Sequence, residues 1–143
     1  MKKYIVVTGG AGFVGSNLVK YLLKKTKHEV ISLDNYSSGT INNHLKDKRV
    51  KYLRGNTQNI KQILKKYKKN IHTLFHFGEF ARIFQSFENF DKCFSSNSLG
   101  SKEVFMYCLD NKIKLVYSAT SASLGNFGND KNLSPYAFTK SKN

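Results

Sequence analysis

Short β-branched runs alternate along this chain with stretches whose apolar residues recur every three or four positions. The run KYIVVT (Lys3–Thr8) predicts a buried strand. FVGSNLVKYLLKK follows it, with Val14, Leu18, Tyr21 and Leu22 on one predicted helical face. HEVISLD (His28–Asp34) and RVKYLRG (Arg49–Gly55) predict a second and a third strand. In NIKQILKKYKK the residues Ile60, Ile63, Leu64 and Tyr67 fall at i, i+3, i+4 and i+7, the period of an amphipathic helix. IHTLFHF (Ile71–Phe77) predicts a fourth strand, residues 98–110 another helix, and IKLVYSAT (Ile113–Thr120) a fifth strand. Strands that alternate with helices argue for βαβ units and a parallel sheet, and no repeat, linker or low-complexity tract interrupts them. Phe80, Phe84, Phe87 and Phe94 fall close to one helical face, a pattern of core or subunit contact rather than of a cofactor box. The sole proline, Pro135, is placed to occupy the first turn of a helix.

Length and composition narrow the class. The 143 residues suit one domain with a single ordinary core, and 40% hydrophobic with 13% aromatic content predicts a folded protein. The longest apolar runs fall far below the roughly 20 residues that cross a bilayer. Gly9 and Gly10 end the opening run well short of the about 7–15 residues of a signal-peptide core. No membrane partner and a cytoplasmic location are expected. Cys93 and Cys108 form no CxxC pair and read as buried free thiols. His28, His44, His72 and His76 lack metal-ligand spacing, and no metal is assigned.

The formal charge of +15 would ordinarily raise a nucleic-acid partner. Here 21 of the 24 basic residues are lysine, scattered along the chain and accompanied by 14 asparagines. That excess over arginine is a mark of A/T-rich coding rather than of a built face, and no arginines interleave with aromatics to stack on bases.

The candidate chemistry sits at two places. VVTGGAGFVGS carries Gly9, Gly12 and Gly15, between the first strand and the first helix. A glycine-rich turn there lets backbone N–H groups approach a pyrophosphate, and the helix presents its positive end to the same ligand. Asp34 ends the second strand nineteen residues past Gly15, where a carboxylate meets an adenosine ribose and repels a 2′-phosphate. No arginine follows in DNYSSG, so NAD is favoured over NADP. The second place is SPYAFTKSKN, which sets Tyr136 and Lys140 four positions apart on one helical face. An ammonium there favours the phenolate, a plausible proton-transfer pair.

With TGGAGFVG, DNYSSG, YSATSASLG and YAFTK in one chain, the sequence resembles the extended short-chain dehydrogenase/reductases, and within them the nucleotide-sugar epimerase/dehydratase group of which UDP-glucose 4-epimerase is the familiar member. The resemblance runs along the whole chain. It implies a doubly wound Rossmann-type α/β sheet, here expected to stop after about five strands, with residues 1–143 as one incomplete NAD(P)-binding domain. It implies that Gly9, Gly12, Phe13, Val14, Gly15, Asp34, Asn35, Asn56, Phe77 and Gly78 line the NAD site, Asn56 standing where relatives have an Asp at the adenine. It implies Tyr136 as general base toward a sugar hydroxyl, Lys140 on the nicotinamide ribose, and Thr120 bonded to the reacting oxygen, with Tyr136 and Lys140 also touching the cofactor. The reaction so implied passes through a 4-keto sugar. Asn97 matches a family asparagine that shapes the middle of the sheet, with a helix cap as the other role open to it. Arg82 reads as a surface residue, the alternative being a substrate phosphate contact. Glu79, in HFGEF, has no counterpart in that implied set.

Two departures narrow the chemistry. Dehydratase relatives carry an Asp-Glu pair directly after the threonine, where Ser121 and Ala122 stand here, so dehydration is disfavoured. Leu124 replaces a tyrosine common in epimerases. The resemblance also implies a longer relative, with a carboxyl-terminal domain that grips the nucleotide-sugar substrate. The chain is therefore expected to be an amino-terminal portion with NAD-binding capacity, acting as a homo-oligomer or with a complementary carboxyl-terminal chain. A non-catalytic NAD-binding module paired with a second chain is the alternative, and a basic nucleic-acid-binding domain a weaker one.

Overall fold

The computed structural model describes residues 3–122, 124 and 133–143. Five strands carry it: β1 (Tyr4–Thr8), β2 (Glu29–Asp34), β3 (Val50–Arg54), β4 (Ile71–His76) and β5 (Lys114–Tyr117). They form one sheet in the order β3-β2-β1-β4-β5, with every pairing parallel. The helices are α1 (Phe13–Lys25), α2 (Ile60–Ile63), α3 (Ile83–Glu88), α4 (Phe90–Phe94), α5 (Ser101–Asp110) and α6 (Pro135–Ser141). This is the parallel α/β sheet that the alternation predicts, doubly wound as the resemblance implies.

A parallel sheet buries both faces, so its strands are apolar on both sides rather than alternating with polar residues. In β1, Ile5 and Val7 point to the side covered by Val19, Leu22 and Leu23 of α1, joined by Val30 of β2. Val6, between them, points to the other side with Ile31, Leu33 and Leu74, under Ile60, Leu64, Val104 and Tyr107. Burying each such aliphatic side chain contributes about 1.5–3 kcal/mol. The two thiols, Cys93 and Cys108, are free and buried, as the composition predicts. Burial pushes Cys108 up to about 11, so it stays an unreactive thiol at neutral pH.

Several elements differ from the sequence expectation, each for a physical reason. Helix α1 has the expected ends but turns another face inward: Gly15, Val19, Leu22 and Leu23 are buried, while Val14 and Tyr21 are exposed. A Cβ on Gly15 would lie 2.1 Å from the Gly9 carbonyl oxygen, so the buried stripe runs through a glycine that adds nothing to an apolar count. The expected 60–67 helix keeps its face but is α-helical only over Ile60–Ile63. Lys61, Lys65 and Lys69 follow at four-residue spacing, where like charges oppose helix propagation. The 98–110 helix starts at Ser101, after a π-helical stretch over Ser95–Gly100. Strand β5 ends at Tyr117, so Thr120 lies in the loop beyond it. Phe84, Phe87 and Phe94 are exposed rather than core, because the segment splits into the two short helices α3 and α4.

One core position is uncompensated. The Ser32 hydroxyl is buried in β2, lies 2.2 Å from where a Cβ on Gly10 would sit, and finds no hydrogen-bond partner among the described residues. An unpaired buried hydroxyl costs about 1–3 kcal/mol, so Ser32→Ala is expected to raise unfolding stability by about 1 kcal/mol in urea titration. A loss of more than about 1 kcal/mol would show that the hydroxyl is bonded in the folded protein.

Candidate functional site

Parallel pairing brings the carboxyl ends of all five strands to one rim, and the chain reverses direction between β1 and β4, which both lie central in the sheet. Open α/β sheets bind their ligands at such a switch point. At this rim the turn after β1 is closed by a bond from the Gly12 amide to the Gly9 carbonyl, 3.1 Å. Gly9 has φ +69°, which a side-chain-bearing residue rarely adopts, and a Cβ there would sit 2.7 Å from the Phe77 carbonyl oxygen. Gly12, by contrast, has room: a Cβ there meets only the Gly9 oxygen, at 3.3 Å. It precedes α1, whose first turn no side chain caps. The first N–H groups of a helix have no intrahelical acceptor, so this uncapped end keeps donors that suit an anion. Phe13 and Val14, at that end, are both exposed.

Next to the turn, β2 ends in Asp34. Its carboxylate accepts from the Ala11 amide (2.9 Å) and the Tyr36 amide (2.8 Å), one at each oxygen. Each oxygen keeps a second lone pair for a ligand hydroxyl. The loop after β2 is tied back to the turn by Thr40 N–H and Asn43 Nδ2, which both donate to the Ala11 carbonyl. Asn35 Nδ2 donates to Asn56 Oδ1 at 2.8 Å, linking the exits of β2 and β3 into one amide edge. Tyr36 follows with φ +61°, its hydroxyl 2.9 Å from His44 Nε2, while His44 stacks on Tyr52. Arg54 ends β3 beside Asp34 and lies 5.7 Å from the Tyr36 ring. No arginine follows Asp34 along DNYSSG; strand register rather than proximity in the chain brings this one there.

On the other side of the switch point, Phe77 and Gly78 leave β4 with both amides donated to Thr8 Oγ1, at 3.2 and 2.9 Å. Beyond β5 the loop brings Thr120 to α6, and the Tyr136 hydroxyl donates to Thr120 Oγ1 at 3.2 Å. Helix α6 is set by local chemistry: Ser134 caps the Ala137 amide at 3.0 Å, and Pro135 opens the helix without needing an N–H partner. Its inner face, Ala137 and Thr139, is buried against α4 and the π-helical stretch. Asn97 is buried there and caps no helix; it bonds both the Phe80 amide and carbonyl and donates to Thr139 Oγ1, pinning the β4 exit to α6. Arg82 and Leu124 are exposed. Gly125, which closes the YSATSASLG stretch, lies outside the described residues.

Lys140, one turn after Tyr136, is buried, and its three N–H donors all reach protein acceptors. These are the Glu79 carboxylate, the Tyr117 hydroxyl (2.7 Å) and the Ser118 carbonyl (2.6 Å). Glu79 in turn accepts from Ser101 Oγ at 2.7 Å and from the Tyr117 hydroxyl at 3.2 Å. Burial, reinforced by the Glu79 carboxylate, pushes the Tyr117 phenol well above its ordinary range. Behind Ser101 stands His76, fully buried, with Nε2 3.0 Å from Ser101 Oγ and Nδ1 2.7 Å from Thr8 Oγ1. Ser101 spends its proton on Glu79, so its oxygen accepts from His76, whose proton is therefore on Nε2. A continuous polar chain thus runs from Thr8 through His76, Ser101 and Glu79 to Lys140. Sequence reading singled out Glu79 as unexplained but missed Tyr117, Ser101 and His76. The only available signal was a carboxylate at a strand exit in a chain with a lysine to pair it.

A family model described as the NAD dependent epimerase/dehydratase family matches residues 5–142. Among solved structures, an epimerase from Methanothermobacter thermautotrophicus is similar with a TM-score of 0.84 and 29% identity, over 96% of this chain and 44% of that one. The UDP-glucose 4-epimerase of Thermus thermophilus, solved as a complex with NAD, gives 0.82 and 26%, over 97% and 48%. The UDP-Glc/GlcNAc 4-epimerase of Campylobacter jejuni gives 0.82 and 25%, over 96% and 46%. The chain thus spans less than half the length of these structures.

The polar chain has a signature in acid. Burial, helped by the Lys140 charge, pulls the His76 imidazole down to about 3. An unfolded histidine titrates near 6.5, so between those values the unfolded state binds the extra proton and stability falls as pH falls. From pH 7 to pH 5 the loss attributable to His76 is expected to be about 2 kcal/mol, read by urea titration. His76→Gln is expected to be less stable at pH 7 but to remove that component of the slope. An unchanged slope in the variant would contradict the buried neutral imidazole.

Proposed function

The chain belongs to the NAD dependent epimerase/dehydratase family, and on that premise we propose that it is the NAD-binding portion of a nucleotide-sugar epimerase-type protein. The observation that carries this reading is the bond between the Tyr136 hydroxyl and Thr120 on the rim that also holds the glycine turn and Asp34. The turn and the start of α1, with Gly9, Gly12, Phe13, Val14 and Gly15, take the pyrophosphate. Asp34 takes the adenosine ribose hydroxyls, and Asn35 with Asn56 the adenine edge. Phe77 and Gly78 bring backbone against the middle of the cofactor. The bound NAD supplies a hydride acceptor.

The remaining work falls to side chains of this chain. Tyr136 removes the proton from a sugar hydroxyl whose oxygen Thr120 holds by a hydrogen bond. NAD, when bound, would supply reversible hydride transfer at that carbon, and Tyr136 would hold the proton and give it back to the same oxygen when the 4-keto sugar is reduced on its opposite face. Lys140 holds the nicotinamide ribose, which requires one of its N–H groups to leave a protein acceptor. The neutral Ser118 carbonyl and Tyr117 hydroxyl yield more cheaply than the Glu79 carboxylate, because hydrogen bonds between charged partners are the stronger kind. Ser121 and Ala122, after Thr120, offer no acid–base pair for eliminating water, which supports epimerisation over dehydration. The substrate class is a nucleotide-sugar such as UDP-glucose. A second reading, an NAD-binding module that acts with another chain, is favoured by the outer edge of β5, which among the described residues pairs with β4 alone.

Calorimetric titration with NAD and chromatographic assay of UDP-glucose turnover test both readings together. The chain is expected to bind NAD, with Asp34→Ala weakening it about tenfold or more through loss of the ribose bonds. Tyr136→Phe is expected to retain NAD and abolish any turnover. Turnover by the parent chain alone contradicts the second reading, and turnover that appears only when a complementary chain is added selects it. Absence of NAD binding contradicts both.

A further inference from the structure

Glu79 is a charged group at this rim to which the proposed function gives no task, and its setting is unusual. The Lys140 and Glu79 side chains are only 3% and 6% exposed, so the fold buries a full ion pair. Such a pair is costly to desolvate and persists only where every remaining lone pair and proton is bonded. Here the second carboxylate oxygen is held by Ser101 Oγ and the Tyr117 hydroxyl, with Asn143 Nδ2 at 3.4 Å. Ser101 is in turn fixed by the neutral His76, itself anchored on Thr8 at the central strand. The carboxylate is therefore a negative charge fixed in place from inside the sheet, not a mobile surface group.

The reading of the Tyr136–Lys140 end as the nicotinamide end, proposed above, gives this charge a consequence. The oxidised nicotinamide ring is a cation and the reduced ring is neutral. An unbalanced Lys140 ammonium would repel the first and spare the second. We propose that Glu79 sets the preference of the site between oxidised and reduced cofactor, because its fixed carboxylate cancels the Lys140 charge and lets the site hold the cationic ring. Glu79 touches neither substrate nor reacting atoms; it acts through the field of the pair and is a positioning residue.

The test is calorimetric titration of the full chain with NAD+, NADH and ADP, comparing the parent with Glu79→Gln, Lys140→Met and the double variant. A unit charge acting over roughly 10–16 Å through an effective dielectric of about 20 changes an equilibrium about fivefold to twentyfold. Glu79→Gln is expected to shift the ratio of NAD+ to NADH dissociation constants by that factor in favour of NADH. Lys140→Met is expected to shift it in favour of NAD+. The double variant, with no net charge change at the pair, is expected to return within about threefold of the parent ratio. ADP, which lacks the nicotinamide half, is expected to bind all four alike. A purely structural role for Glu79 weakens NAD+ and NADH equally and leaves the ratio unmoved, which overturns the proposal. Should Glu79→Gln alone not fold, Lys140→Met against the double variant isolates the same carboxylate, and an equal ratio in those two overturns it as well. Failure of ADP and NAD+ to bind the parent chain would remove the cofactor reading and this inference with it, whereas ADP binding with unmoved ratios defeats this inference alone.

Discussion

At the top of the two central strands the backbone leaving β1 and the backbone leaving β4 lie in van der Waals contact. A Cβ on Gly9 would sit 2.7 Å from the Phe77 carbonyl oxygen, and one on Gly78 would sit 2.9 Å from the Gly9 nitrogen. Thr8 and His76, one residue below, close the same seam with a 2.7 Å hydrogen bond. Every other feature of the rim is placed relative to this contact. On one side the glycine turn swings into α1 and abuts Asp34; on the other, Phe77 and Gly78 lead to Glu79, the partner of Lys140. Two side-chain-free positions thus keep side chains out of the seam between the glycine turn and the β4 exit, at the switch point of the sheet.

The two sides of that seam are built by different means. The Asp34 end is assembled from backbone: amides of Ala11 and Tyr36 point at one carboxylate, and a loop is tied to the Ala11 carbonyl. The Tyr136 end is assembled from buried side chains that form a polar chain reaching into the sheet. Such a network is costly if any member is unpaired, and each link from Thr8 to Lys140 has a partner in hydrogen-bond geometry. The neutrality of His76 matters here, because a second cation next to Lys140 would leave Glu79 unable to balance both.

Much of this was legible in the sequence, and the exceptions share a cause. The ends of α1 and the cores of all five strands follow from apolar periodicity, with a glycine close after the runs of β1, β3 and β4. The glycine turn, Asp34 and the Tyr136–Lys140 spacing are local patterns, visible wherever the chain is read a few residues at a time. What escaped depends on three-dimensional register. The inward face of α1 runs through Gly15, which carries no hydrophobic signal. Arg54 comes beside Asp34 only because β3 pairs with β2 in that register. Glu79 meets a lysine sixty-one residues away, and Tyr117 and Ser101 join them from two further elements. The phenylalanines of the 80–94 segment part from the core reading and leave that of subunit contact: their spacing suits one helical face, but two short helices leave three of them in solvent.

We propose that a single dinucleotide spans the rim from Asp34 to Tyr136. Amide chemical shifts of the isotopically labelled full chain, followed while NAD and then AMP are added, test it most directly. NAD is expected to perturb the Gly9–Gly15 turn, Asp34 and Asn35, the Phe77–Gly78 amides and the Tyr136–Lys140 helix together, whereas AMP is expected to perturb the first two groups and leave the helix unmoved. Perturbation by NAD confined to one end, or the same response of the Tyr136 helix to AMP as to NAD, would contradict it.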